Sequence, residues 1–234
     1  MKIDRFIEEL KKLNIFLSEE QLLQLEQYYN LLIEWNKKIN LTGITEHDSV
    51  YLKHFYDSIT LSRIIDLHDE ISLCDIGTGA GFPGIVLKIV FPNLKVTLID
   101  SLNKRINFLN TVIDTLKLKN IVTICSRAEE YSINNRELFD VVTARAVAPL
   151  STLLEYSIPL VKVNGYFIAM KSDVKSELIN INNCEKVLDV CLDKIDEFKL
   201  PIEDSLRTLV KFKKNKITSN KFPRKYSLMK KNPL

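Results

Sequence analysis

Glycine is scarce in this chain, with six among 234 residues, and long apolar runs are missing altogether. No stretch approaches the roughly 20 consecutive apolar residues that a membrane-spanning helix needs. The start, Met1-Lys-Ile-Asp-Arg-Phe-Ile-Glu-Glu9, is too acidic and too interrupted for a secretory leader, so a cytoplasmic protein without membrane attachment is the expectation. Cysteine is limited to Cys74, Cys125, Cys184 and Cys191, with no C-x-x-C pair. Three of the four lie in apolar, strand-like runs, which argues for buried reduced thiols and against disulfides or a structural metal. Internal repeats and low-complexity tracts are also absent. What is present, 46% hydrophobic and 27% charged residues, suits an ordinary globular domain with an appendage.

The few glycines are not scattered. Four of the six stand within Cys74-Asp-Ile-Gly-Thr-Gly-Ala-Gly-Phe-Pro-Gly84, directly after an apolar run and directly before a helix-like one. That order predicts a strand, a tight turn and a helix, with Pro83 in the first helical turn, where its missing N–H costs nothing. Such a turn offers bare backbone N–H groups to a ligand. Gly79, Gly81 and Gly84 formally satisfy the dinucleotide fingerprint G-x-G-x-x-G, with Asp100 at the distance expected for a ribose-binding acid. Asp75 tilts the reading elsewhere, because its carboxylate repels a pyrophosphate and attracts the ammonium of a methionine moiety. The pattern Asp75-x-Gly77-x-Gly79-x-Gly81 resembles motif I of the class I S-adenosylmethionine-dependent methyltransferases. A nicotinamide-dependent oxidoreductase stays open as a different class, with Asp75 as the discriminating residue.

Residues 1–65 read as helices. Ser18 with Gln21 forms a capping box, Leu22, Leu25, Tyr29 and Leu32 recur at helical spacing, and a second run at 50–65 is amphipathic. From Ser72 the pattern alternates. Strands are predicted at 71–76, 94–100, 121–125, 139–144 and 165–170, with helices at 83–90, 102–116 and 149–161 between them. The strands are near-continuous apolar runs, as in a parallel sheet covered on both faces. A short helix near 172–181 and two β-rich segments at 186–198 and 206–212 complete a Rossmann-like α/β domain spanning 66–213 behind an N-terminal helical cap. The remaining 214–234 form a basic tail. From Lys211 onward there are nine Lys or Arg and no acid, leaving 24 basic against 30 acidic side chains in residues 1–210, a net of −6. Such a block can be a footprint for nucleic acid, and on charge alone it reads equally as a solvated lysine-rich tail.

In an open sheet of this kind the ligand sits beyond the carboxyl ends of the strands. Asp100, after the second strand, is placed for the ribose hydroxyls. Glu129, after the third, can accept from an adenine amino group while the Ala128 backbone lies against the ring. Arg145 follows the fourth strand, where the methyl group is delivered; it can orient a guanine or phosphate edge, hold the cofactor carboxylate, or pair with Glu129 or Asp75. The acceptor is narrowed by what is missing there. Enzymes that methylate exocyclic amines usually carry Asn or Asp-Pro-Pro-aromatic after strand four, and those that methylate pyrimidine C5 need a cysteine nucleophile. This chain has Thr143-Ala-Arg-Ala-Val-Ala-Pro149. An acceptor with a free lone pair, such as guanine N7, requires no general base, only alignment and stabilisation of the charge that develops.

The motifs together, Asp75 to Gly84, Asp100-Ser-Leu-x-Lys-Arg105, Ser126-Arg-Ala-Glu129, Arg145-Ala146 and Lys171, with Trp35-Asn36, Asn40-Leu-Thr42, His54, Asp57-Ser58, Phe222-Pro-Arg224 and Pro233-Leu234, resemble the bacterial 16S ribosomal RNA guanine-N7 methyltransferases, also called glucose-inhibited division protein B. The resemblance covers nearly the whole chain. It implies S-adenosyl-L-methionine as cofactor, 16S ribosomal RNA of the small ribosomal subunit as partner, and a monomer. It also implies a cofactor site of Asp75, Gly77, Gly79, Phe82, Asp100, Ala128, Glu129 and Arg145, with Lys171, Arg224 and Lys225 toward the RNA. Two positions depart from the family pattern: Ser172 follows Lys171 where glycine is frequent, and Phe222 and Tyr226-Ser227 stand where members often have Tyr and Gly. His54 lies mid-helix, where a packed histidine is commoner than a catalytic one, and Trp35 reads as core. Two further classes, a methyltransferase of small molecules and a non-catalytic RNA-binding factor, are the alternatives.

Overall fold

The computed structural model describes residues 1–179 and 181–234. Two helices, α1 (Ile3–Lys11) and α2 (Glu19–Asn36), open the chain. The capping box of α2 is complete: Ser18 Oγ accepts from Gln21 N at 3.2 Å and Gln21 Oε1 accepts from Ser18 N at 2.9 Å. The same glutamine then donates its amide N–H to the carbonyls of Ile89 and Val90 at 2.8 and 3.0 Å. One side chain therefore both starts the helix and ties it to the end of the helix that follows the glycine turn.

The amphipathic run expected at 50–65 is one continuous helical passage of changing pitch. It begins as α3 (His47–Val50), capped by the Glu46 carboxylate, passes through a π-helical stretch (Tyr51–Tyr56) and α4 (Asp57–Ile59), and ends in a 3-10 turn (Thr60–Arg63). Wide-pitch turns of this type occur frequently at functional sites. This one carries His54 and leads directly into Asp57.

The sheet has seven strands, β1 (Ser72–Ile76), β2 (Lys95–Asp100), β3 (Ile121–Cys125), β4 (Phe139–Arg145), β5 (Val161–Lys171), β6 (Val190–Lys199) and β7 (Leu206–Lys214). Their order is β3-β2-β1-β4-β5-β7-β6; the first five run parallel, and β7 is antiparallel to both β5 and β6. The strand order reverses between β1 and β4, and the crevice there is where ligands bind in open sheets. The crossovers are α5 (Gly84–Val90), α6 (Asn103–Thr115), α7 (Ala128–Asn134), α8 (Leu150–Ser157), α9 (Lys175–Leu178) and α10 (Ile181–Leu188); α11 (Tyr226–Lys231) ends the chain. One core lies between the sheet and α1 to α6, with Phe6, Tyr28, Phe55 and Phe108 fully buried in it; a second, with Leu150, Leu153, Cys184 and Met229, lies under α8 and α10 on the other face.

The strand expected at 186–198 starts later, because Ile181, Cys184 and Leu188 fall on one buried helical face and α10 continues to Leu188. Asp189, at φ 53°, then breaks the helix. The expectation of buried thiols holds for Cys74 and for Cys184 on this helix but not for Cys125, which is exposed at the end of β3, or for Cys191, which is half-buried in the edge strand β6. The C-terminal segment is docked on the body. Lys214 closes β7 with no exposed surface, donating to the carbonyls of Ile158 and Val161 at 3.0 and 2.8 Å. Arg136 holds the segment from below through the carbonyls of Phe222 and Thr218, at 2.8 and 2.6 Å. Among the described residues no helix is long and apolar enough to cross a membrane.

Candidate active site

The turn after β1 is built as a cradle. Gly77, Gly79 and Gly81 all have positive φ, at 64°, 61° and 97°, a region costly for residues with a Cβ. At Gly84 a Cβ would overlap Leu98 and lie 2.9 Å from Asp75 Oδ2, so its bareness is what lets α5 start against the sheet. Asp75 is fully buried beneath this loop. Its Oδ2 accepts from Thr78 Oγ1 at 2.6 Å and from the Gly84 N–H at 2.8 Å, while its Oδ1 is buried with no partner. Burial raises its pKa to about 6, against the opposing pull of Thr78, Gly84 and Arg145.

Asp100 laces the other side. Its Oδ2 accepts from the Gly79 N–H at 3.0 Å and from Arg105 Nη1 at 3.1 Å, and its Oδ1 accepts from the Leu102 N–H at 2.9 Å, all with 3% of the residue exposed. Beyond the loop opens a cavity of about 330 Å3. Gly77, Asp100, Ser101, Ser126, Ala128 and Glu129 line it, together with Ala146, Val147, Tyr156 and Tyr226. A Cβ at Gly77 would lie 2.8 Å from Val147 Cγ2, so Val147 stands close against the loop. A bare glycine turn with carboxylates after β2 and β3 around this cavity matches an adenosyl group. The donor set thus fits S-adenosylmethionine.

A second cavity, of about 370 Å3, adjoins the first at Ala146, which lines both. Ala146 is held at φ 56°, a strained value for a residue with a Cβ. The second cavity is walled by Lys53, His54, Asp57, Arg145, Lys171 and Arg207 together with Ile44, Met170 and Leu209. Arg145 Nη1 donates to Asp57 Oδ2 at 3.0 Å and to the Lys53 carbonyl at 3.1 Å, and its guanidinium lies 5.2 Å from the centre of the Phe82 ring. Arg207 Nε donates to the other oxygen of Asp57 at 2.9 Å. Asp57 is thus shared by two arginines arriving from different strands.

His54 stacks on Phe82 with ring centres 4.4 Å apart and planes 12° apart. Its Nδ1 faces Arg145 Nη2 at 3.3 Å, and its Nε2 faces Thr42 Oγ1 at 2.8 Å. A guanidinium only donates, so Nδ1 accepts and the proton sits on Nε2, pointed at Thr42. Burial first, and the Arg145 charge second, lower its pKa to about 3. Thr42 is presented by a loop that Asn36 braces, its Oδ1 accepting from the N–H groups of Leu41 and Thr42 at 2.9 and 3.0 Å.

Residues 21–202 match the GidB family, described as rRNA small subunit methyltransferase G. The chain is 49% identical to the ribosomal RNA small subunit methyltransferase G of Lysinibacillus sphaericus, covering 100% of both chains. With the protein of the same description from Bacillus subtilis it shares 47%, over 100% of this chain and 99% of that one. The chain belongs to the GidB family. Its fold is shared more widely. A SAM-dependent methyltransferase from Aquifex aeolicus superposes with TM-score 0.54 at 17% identity, over 77% of this chain and 97% of that one. M. jannaschii TYW2 in complex with AdoMet superposes with TM-score 0.54 at 15% identity, over 68% and 76%. The chain thus carries the Rossmann-like sheet that these methyltransferases share.

Within this GidB member the expected cofactor residues divide. Gly77, Asp100, Ala128 and Glu129 line the cofactor cavity; Gly79 shapes it through its N–H to Asp100. Asp75, expected to attract the methionine ammonium, lies beneath the loop and not in the cavity lining: its Oδ2 accepts from Thr78 and Gly84 and its Oδ1 is buried. Phe82 and Arg145 face the second cavity's side: Phe82 is 6% exposed and packed between His54 and Tyr28, and Arg145 pairs with neither Glu129 nor Asp75 but with Asp57. Lys171 reaches the second cavity while its Nζ donates to Glu177 at 2.9 and 3.0 Å. Arg224 lies away from that cavity, forked onto Glu155 at 2.8 and 2.7 Å, and Lys225 is exposed beside it. Trp35 packs on Phe108 with ring centres 5.7 Å apart. Reasoning from sequence did not reach Arg207, Lys53 or Tyr28, whose buried hydroxyl donates to the Ala80 carbonyl of the glycine loop. The spacing of His54 and Asp57, three apart on one helix, was the one available signal for the cap's entry into the site.

Proposed function

We propose that the protein transfers the methyl group of S-adenosylmethionine to N7 of a guanosine in 16S ribosomal RNA of the small ribosomal subunit, acting in the cytoplasm as a monomer. When bound, the cofactor supplies an electrophilic methyl on a sulfonium. The observation that supports this acceptor is the second cavity, which meets the cofactor cavity at Ala146 and contains cations but no available base. His54 is neutral, with Nδ1 accepting from Arg145 and Nε2 donating to Thr42, and a pKa near 3 makes it unable to hold a proton at neutral pH. Asp57 is engaged by two arginines. An acceptor that loses no proton fits such a pocket, and guanine N7 attacks through an in-plane lone pair.

The chain's own residues then align and stabilise. Lys53, Lys171, Arg145 and Arg207 surround the pocket and attract the phosphates flanking a splayed-out nucleotide. The Asp57 carboxylate offsets part of that charge at the place where the purine becomes positive, and neutral His54 adds none. Apolar Ile44, Met170 and Leu209 exclude water from the acceptor. Transfer of labelled methyl from S-adenosylmethionine to small subunits lacking the modification, followed by mapping of the product base, tests the proposal. Label at a single guanine N7 is the expected result; label on a different atom, or on no RNA despite tight cofactor binding, refutes it.

A further inference from the structure

The segment after β7 looks in sequence like a charged tail, yet it is fastened at several points. Arg224 meets Glu155, which is 1% exposed, through its Nε at 2.8 Å and its Nη2 at 2.7 Å, and its backbone N–H donates to the same carboxylate at 2.9 Å. Buried, bidentate and charge-assisted, this is the strong kind of ion pair. Five residues on, Met229 is fully buried in the core under α8. Between these anchors the chain has little freedom, and the residue it presents there is Tyr226.

Tyr226 lines the cofactor cavity together with Tyr156, the neighbour of Glu155 on α8, and with Ala128 and Glu129. The three polar groups are close enough to interact: after burial, the nearby Glu129 and Tyr226 contribute to raising the Tyr156 phenol. Tyr226 itself remains 43% exposed, an aromatic ring standing at the rim of a cavity instead of packed in a core. We infer that Tyr226 is a cofactor-binding residue whose ring covers the adenine of bound S-adenosylmethionine, and that the anchored C-terminal segment serves the cofactor site. The inference rests on the cofactor assignment above. A flat purine held in this cavity against the exposed face of an aromatic ring gains from offset stacking.

Calorimetric titration of the full chain with S-adenosylmethionine tests this, using wild type, Tyr226→Ala and Tyr226→Phe. Stacking of this kind predicts a roughly threefold to tenfold rise in Kd for Y226A, with Y226F within about twofold of wild type. KM for the cofactor should rise in parallel while kcat at saturating cofactor stays unchanged. Wild-type Kd in Y226A overturns the inference, and so does a loss in Y226F as large as that in Y226A, which would assign the effect to the hydroxyl. Tyr226 is a rim residue, so both variants should keep the wild-type Tm; a Kd loss matched by a fall in Tm would mean that the ring only supports the fold. A wild-type chain that itself fails to bind S-adenosylmethionine refutes the cofactor reading instead, so the two failures are distinct.

Discussion

Asp57→Asn changes one charge and almost no volume at the point where the helical cap enters the active site. Its side chain is 7% exposed and sits between Arg145 at 15% and Arg207 at 22%. Removing the carboxylate leaves two largely buried guanidinium groups facing each other without a counter-ion. Loss of one partner from a buried pair costs about 3–5 kcal/mol, and because both arginines keep some access to water the lower end, about 3 kcal/mol, is expected here. For a chain of this size that is a fall in Tm of roughly 6–12 °C. Arg207→Met should cost less, since Asp57 keeps Arg145. In the double variant the arginine repulsion is relieved, so the coupling measured by the cycle should be about 1–2 kcal/mol in the direction of mutual compensation. The assay is urea unfolding of the four proteins, followed by methyl transfer at saturating cofactor. A D57N protein within about 0.5 kcal/mol of wild type, the range of a surface change, would refute the view that this carboxylate is the keystone of the acceptor pocket.

Gly79→Val places a branched side chain at φ 61° in the loop under Asp100, and cofactor binding should be lost; unchanged affinity by calorimetry would refute the placement of the loop. His54 gives a pH signature. Its pKa is 6.5 unfolded and about 3 folded, so its contribution to stability is full above pH 6.5 and is lost as pH falls toward 3. By about pH 5 that loss is roughly 2 kcal/mol. Asp75, raised from 3.8 to about 6, acts with the opposite sign in its own window, but it is present in both proteins and cancels when wild type is compared with His54→Asn. Urea midpoints at neutral and acid pH should therefore fall less in H54N; equal falls would assign the acid sensitivity to another group. Among the C-terminal cations, Lys214→Met should destabilise the fold, because its ammonium satisfies two buried carbonyls. Neutralising exposed Lys221, Lys225, Lys230 and Lys231 should instead flatten the salt dependence of subunit binding, by roughly one unit of slope per lost phosphate contact; an unaltered slope would make these four bystanders.

Much of the molecule was legible in one dimension. The Ser18–Gln21 capping box, the five apolar strands and the positive-φ glycines after β1 are local features, each decided by side-chain periodicity or backbone freedom within a few residues. Asp100, Ala128 and Glu129 were accessible by the same route, since the carboxyl ends of parallel strands are fixed once the strands are. The limit of this reasoning came where a residue's partner is distant in sequence. Arg145 was placed at the end of β4, but its ion pair with Asp57 spans 88 residues, and Arg207 reaches the same carboxylate across 150.

The C-terminal charges make the same point in reverse. Composition showed nine cations without an acid between Lys211 and Leu234. Only the packed structure showed that Lys214 is buried against carbonyls, that Lys211 pairs with Asp193 at 2.8 Å, and that Arg224 is forked onto Glu155. Sequence by itself determined the fold class, the cofactor turn and the acids beyond the strands, because these depend on local conformation and on a topology with few alternatives. The tertiary structure decided the second cavity, the neutral state of His54 and which of the C-terminal cations form ion pairs among the described residues. Those depend on burial and on charge pairs that exist only after distant segments have met.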